Sequence, residues 1–183
     1  MNILIIEDSY LEREFVSRLL KQENLSPRAV DNGEEGLEIA EKEEFDVILL
    51  DIIMPGMNGY EVCRRLKKIE KNKYTPVIFI TGNNDIDSLQ KAFESGGVDY
   101  ILKPVNKYNI LARVKVHIEN NRLIKSLKQE VECRKQIETE LKEANDQYTS
   151  QNEELMQIIS QLDDAKNELE EKDRKIRELI NSL

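Results

Sequence analysis

The chain has no tryptophan, two cysteines, one histidine, four prolines and seven glycines among its 183 residues. Two cysteines, Cys63 and Cys133, build neither a disulfide framework nor a zinc site, so both are expected as free thiols in a reducing cytoplasm. No apolar run approaches the roughly 20 residues that cross a bilayer. The apolar start of the chain stops at Glu7-Asp8, too short and too acidic for a secretory signal. Positive charge is also short: 27 Lys+Arg face 36 Asp+Glu, a net charge of -9. A broad positive field is missing, which argues against nucleic acid as the main partner. The composition therefore predicts a cytoplasmic protein with no membrane insertion.

The scarce residues are also unevenly placed. All seven glycines and all four prolines lie between Pro27 and Pro104, and nine of the ten aromatics fall by Tyr108, leaving Tyr148 downstream. Turn chemistry is thus confined to the front. Two regions are expected: a folded domain over residues 1–118 and a long helix over residues 119–183 that continues its last helix.

Within the front, short apolar runs recur: Ile3-Leu4-Ile5-Ile6, Val47-Ile48-Leu49-Leu50, Val77-Ile78-Phe79-Ile80 and Tyr100-Ile101-Leu102, with a weaker one at Arg28-Ala29-Val30. Unbroken runs rich in Ile and Val suit parallel strands buried on both faces. Helical spacing separates them: Leu11, Phe15, Leu19 and Leu20; Leu37 and Ala40; Val62, Leu66 and Ile69; Ile86, Leu89, Ala92 and Phe93, stopped by Gly96-Gly97; then Ile110 and Leu111, capped by Asn106. Alternating strands and helices predict an α/β fold with an open, doubly wound parallel sheet, whose functional crevice lies beyond the carboxyl ends of the strands.

Those ends carry chemistry. The first strand ends in Glu7-Asp8, the third in Asp51, the fourth in Thr81 and the fifth in Lys103-Pro104. Each acid taken singly, or Thr81, fits a helix cap or a turn, and Lys103 alone fits an ordinary surface lysine. Together they gather three carboxylates, a hydroxyl and an ammonium at one rim. Three crowded carboxylates call for a cation, and a hard divalent ion such as Mg²⁺ (or Mn²⁺) suits oxygen ligands. The formal charge then sums to zero, leaving two cations to face an incoming phosphoryl group, with a central carboxylate as nucleophile. A dehalogenase-like phosphatase would need an acid two residues past the nucleophile, where Ile53 stands. No Gly-rich loop follows the first strand, which removes a nucleotide-binding reading.

The segments Ile-Ile-Glu7-Asp8-Ser, Leu-Leu-Asp51-Ile-Ile-Met-Pro55-Gly56-Met-Asn-Gly59, Ile-Thr81-Gly82 and Tyr100-Ile-Leu-Lys103-Pro104 resemble the receiver domain of two-component response regulators over residues 1–118. The resemblance implies a flavodoxin-like five-stranded sheet of order 2-1-3-4-5. It implies that Asp51 accepts a phosphoryl group from a sensor histidine kinase or phosphotransfer protein. Asp8, Asp51 and the backbone carbonyl of Ile53 would ligate Mg²⁺, with Glu7 acting through water. Thr81 and Lys103 would contact the phosphoryl group, Tyr100 would be the switch aromatic, and the bond before Pro104 would be cis. Positions two past Asp51 and Thr81, Ile53 and Asn83, would influence access of the hydrolysing water; apolar Ile53 offers it no hydrogen bond, which predicts that dephosphorylation is not fast.

Behind the domain, positions 137, 141, 144, 148, 151, 155, 158, 162, 165, 169, 172, 176, 179 and 183 step alternately by four and three, the seam of a coiled coil. Its expected members are Leu141, Tyr148, Leu155, Ile158, Leu162, Leu169, Ile176 and Leu179. Upstream, Ile124, Leu127 and Val131 keep another frame, and the six-residue step from Val131 to Ile137 reads as a discontinuity near Arg134. A parallel homodimer is expected, with a larger bundle open. His117, the only histidine, is expected at a helix surface or cap. No separate catalytic output segment is recognisable, so the chain is not expected to be an enzyme beyond the receiver's own phosphoryl transfer and hydrolysis. A constitutive coiled-coil adaptor, or a fragment of a receiver-coupled cyclase, phosphatase or kinase, are the alternatives.

Overall fold

The three most apolar runs have no polar face to offer water and are satisfied only between two layers of helices. The computed structural model describes residues 1–82 and 85–181, with side chains on the last helix as far as Arg177. Asn83 and Leu183, and the side chain of Leu179, lie outside the described residues. The strands are β1 (Asn2–Ile6), β2 (Ser26–Val30), β3 (Val47–Asp51), β4 (Val77–Thr81) and β5 (Asp99–Leu102). The helices are α1 (Tyr10–Gln22), α2 (Gly33–Lys42), α3 (Gly59–Leu66), α4 (Ile86–Glu94) and α5 (Lys107–Asn181). The chain divides into two units, Met1–Leu127 and Lys128–Leu183.

In the first unit all pairings are parallel and the strand order is β2-β1-β3-β4-β5, the expected doubly wound topology. Buried β1, β3 and β4 take the middle, and Pro27, which cannot donate to a ladder, sits on edge strand β2. Alternation sends Leu4, Ile6, Ile48, Leu50, Val77 and Phe79 into a core with Ile39, Val62, Leu66 and Ala92 of α2, α3 and α4. Ile3, Ile5, Val47, Leu49, Ile78 and Ile80 face the other way, against Val16, Leu20, Ile110, Val114 and Ile118 of α1 and α5.

Two helix faces differ from the periodic reading. On α1, Leu19 and Leu20 are buried as expected, but Leu11 and Phe15 are 77% and 47% exposed, and Val16 and Ser17 are buried in their place. On α4 only Ala92 is buried, with Ile86 and Phe93 exposed. A strong apolar residue was the wrong guide there, because the rotation of a helix follows the residues that fit the sheet. The packed unit also reaches past Ile118: Asn121 is buried and donates to the carbonyl of Asp46 at 3.1 Å, and Lys125 pairs with Glu44 at 2.5 Å.

Two glycines shape the ends of elements. A Cβ on Gly59 would lie 2.1 Å from the carbonyl oxygen of Asp51, so only glycine lets α3 start against the end of β3. Gly96 follows α4 with a φ of 102°, the left-handed conformation that ends a helix. In the second unit α5 stays helical through the expected discontinuity at Arg134, and every described side chain from Lys128 to Arg177 is exposed.

Candidate functional site

Because β1 and β3 are hydrogen-bonded neighbours, the residues that follow Ile6 and end β3 come together. Glu7, Asp8 and Asp51 each bring a carboxylate oxygen within 4.8 Å of the other two. Glu7 and Asp51 are buried and Asp8 is exposed. Arg13 braces the turn after β1, donating to the carbonyls of Glu7 at 2.6 Å and Asp8 at 3.1 Å. The backbone N–H of Ile53 donates to Asp51 Oδ1 at 3.2 Å, while the Ile53 residue is 69% exposed.

From β5 the chain delivers Lys103 to the same place, and its backbone N–H donates to the carbonyl of Thr81 at 2.8 Å. Its ammonium lies 2.8 Å from Asp51 Oδ2 and 3.0 Å from Glu7 Oε2, and it also pairs with Glu12. Glu12, in the first turn of α1, is absent from the sequence reading of this site. Its signal in the sequence is an acid four residues after Asp8, on the first turn of α1. Thr81 is buried at the end of β4, one residue beyond the register partner of Asp51. Tyr100 is half-buried, its ring 6.3 Å from that of Phe93 and 5.9 Å from the Arg113 guanidinium. The Lys103–Pro104 bond is cis.

The electrostatics follow from crowding. Burial first, and the Asp51 charge second, push the Glu7 carboxyl from its ordinary 4.5 up to about 8, against the pull of Lys103. Burial would lower the Lys103 ammonium, but its bonds to Asp51, Glu12 and Glu7 outweigh that and hold it above its usual range. Glu7 Oε2 is buried and accepts no hydrogen bond, since the nearby Lys103 meets it as an ion pair without bonding geometry. Three clustered oxygen donors, one of them orphaned, are the donor set that a hard divalent cation satisfies.

Away from this rim, His117 is not a bare surface group: its Nε2 lies 3.1 Å from Asp99 Oδ2, and Arg113 bonds the other oxygen of that carboxylate. Burial opposes ionisation of Asp99, and the bonds from Arg113 and His117 outweigh it, holding its carboxyl below the usual range.

Residues 3–115 match the family model of the response regulator receiver domain. The chain belongs to this family. It is 40% identical over 120 residues to a probable cyclic di-GMP phosphodiesterase of Vibrio cholerae, a match covering 66% of this chain and 27% of that protein. It is 34% identical over 126 residues to the transcriptional regulatory protein HprR of Escherichia coli, covering 69% of this chain and 55% of that protein. The receiver chain thus spans about a quarter to a half of the length of these relatives. Among solved structures, the receiver domain of sensor histidine kinase PA1611 of Pseudomonas aeruginosa, with a magnesium ion coordinated in its active-site cleft, shares the fold at a TM-score of 0.61. That match is 24% identical and covers 64% of this chain and 97% of that one. Among the described residues no helix is long and apolar enough to cross a membrane.

Proposed function

We propose that the chain is a phosphorylation-controlled signalling module in which Asp51 accepts a phosphoryl group from a sensor histidine kinase or phosphotransfer protein. The observation that carries the reading is the meeting of Asp51 with Glu7, Asp8 and the Lys103 ammonium at one strand-end rim. An Asp51 carboxylate oxygen bonds to phosphorus as the donor's P–N bond breaks, and the bonding pair stays on the imidazole nitrogen. Lys103 balances charge on the phosphoryl oxygens, and Thr81 donates its hydroxyl to one of them. Mg²⁺ or Mn²⁺ would be held by Asp8, Asp51 and the Ile53 carbonyl, with Glu7 acting through water. When bound, such an ion neutralises the phosphoryl oxygens. Tyr100 follows Thr81 when the site fills and passes the change to α5.

The helix of the second unit is read as the transmission element. Leu141, Tyr148, Leu155, Ile158, Leu162, Leu169 and Ile176 are all more than half exposed at coiled-coil spacing. A stripe of that kind is stable in water when a second helix covers it, which supports a parallel homodimer. The test is a thermal shift with beryllofluoride and Mg²⁺. The wild-type chain should gain stability and the Asp51→Asn chain should not; equal responses would contradict the reading. Light scattering with and without beryllofluoride then reports whether the dimer depends on the site.

A further inference from the structure

Glu12 stands at the rim beside Lys103 with no place in the phosphoryl-acceptor scheme. An ammonium has three N–H donors, and around Lys103 stand three carboxylates: Asp51, Glu7 and Glu12. Asp51 and Glu7 are buried at the ends of strands, whereas the Glu12 side chain is 39% exposed on the first turn of α1. Of the three partners, Glu12 is the one free to swing into water. A phosphoryl group arriving on Asp51 needs the lysine's charge, and the N–H turned toward Glu12 is the one it can take without breaking the buried pairs. Glu12 also adds a fourth negative charge to the rim. With a divalent cation and Lys103 in place, the formal sum becomes -1 rather than zero, a residual repulsion toward any anionic donor.

We propose that Glu12 is a specificity-determining latch: it holds one N–H of Lys103, restrains phosphorylation by free anionic phosphodonors, and releases the lysine when a phosphoryl group enters. The inference rests on Asp51 being the acceptor. A residue that instead held Lys103 in its working position would have the opposite kinetic sign, since its removal would slow the reaction.

The experiment follows labelling of the full chain by intact mass, in Mg²⁺, with two donors. With acetyl phosphate, the new bond is Asp51 oxygen to phosphorus, the P–O bond of the donor breaks, and acetate leaves with the bonding pair. Phosphoramidate, which carries one less net negative charge, loses ammonia instead. Glu12→Gln and Glu12→Ala should each raise the acetyl phosphate rate about two- to fivefold, the range expected of a half-exposed ion pair, with a smaller gain for phosphoramidate. Thermal unfolding of both variants checks that the fold is kept, and agreement between them excludes an effect peculiar to one side chain. A rate equal to or below wild type would overturn the latch, as would an identical gain with both donors. Labelling that persists in an Asp51→Asn chain would instead overturn the acceptor reading itself.

Discussion

In the unit Met1–Leu127 the aliphatic side chains of β1, β3 and β4 are buried against helices of the same chain, whereas from Lys128 to Arg177 every described side chain is exposed. Hydrophobic residues occur in both. They differ in surroundings: in the first the topology buries them, and in the second they stand exposed at coiled-coil spacing, which the proposed dimer would cover. The carboxylates divide in the same way. Those at the strand ends are crowded and partly buried, and burial with the Asp51 charge pushes the Glu7 carboxyl up to about 8. Those on α5 are solvated or matched to a base four residues on, as Glu130 is to Arg134 and Asp173 is to Arg177. The candidate chemistry therefore sits where charges are confined, and the proposed dimer would use the apolar surface that α5 leaves uncovered.

The contrast is broken most forcefully at the core. Leu50→Ala should cost about 2–5 kcal/mol in denaturant unfolding, the range for truncating a fully buried leucine. Leu162→Ala should leave the unfolding of the first unit unchanged and lower the dimerisation constant in analytical ultracentrifugation. Next comes Gly59→Ala, which forces a methyl against the Asp51 carbonyl and should cost about 1–3 kcal/mol while also lowering labelling of Asp51.

Smaller is the pH response of the metal-free protein. Glu7 holds its proton more tightly in the fold than in the unfolded chain, so the folded state carries more protons between pH 4.5 and about 8. Stability therefore declines as pH rises through that window. A Glu7→Gln chain should lose the decline. Mg²⁺, which competes with the proton, should raise Tm more at pH 8 than at pH 6, by a difference on the order of 4 °C. Chelation should reverse it. The smallest expected effect is at the rim: Ile53→Asn gives the hydrolysing water a hydrogen-bonding neighbour, worth about 1 kcal/mol, and should shorten the acyl phosphate half-life about fivefold. A half-life that barely changes would remove Ile53 from the account.

The sheet was legible because its signal is local: an apolar run of four Ile, Val or Leu residues has few other fates, and the strand-end acids follow directly from it. The glycine-rich stop after α4 was legible for the same reason, since Gly96 carries a conformation other residues avoid. Helix rotation is legible only in part: Leu19 and Leu20 pack into the core as their spacing predicts, whereas Leu11 and Phe15 are exposed and Val16 joins the core instead. Glu12 is hidden too, since which first-turn acid reaches Lys103 is decided by contact between segments far apart in the chain. His117 and Asp99, eighteen residues apart, were equally invisible, because β5 and α5 come together only in the fold. Asn121 and Lys125 carry the packed unit beyond the expected boundary by reaching the loop before β3, another contact between distant segments.

The central claim is that the buried carboxylate of Asp51 is the phosphoryl acceptor. Acetyl phosphate labelling followed by borohydride reduction and peptide mass spectrometry tests it most directly, since reduction converts a phosphorylated aspartate to homoserine. The account predicts homoserine at position 51 and at no other aspartate. Homoserine elsewhere, or a label that resists reduction and resides on a serine or on His117, would contradict it.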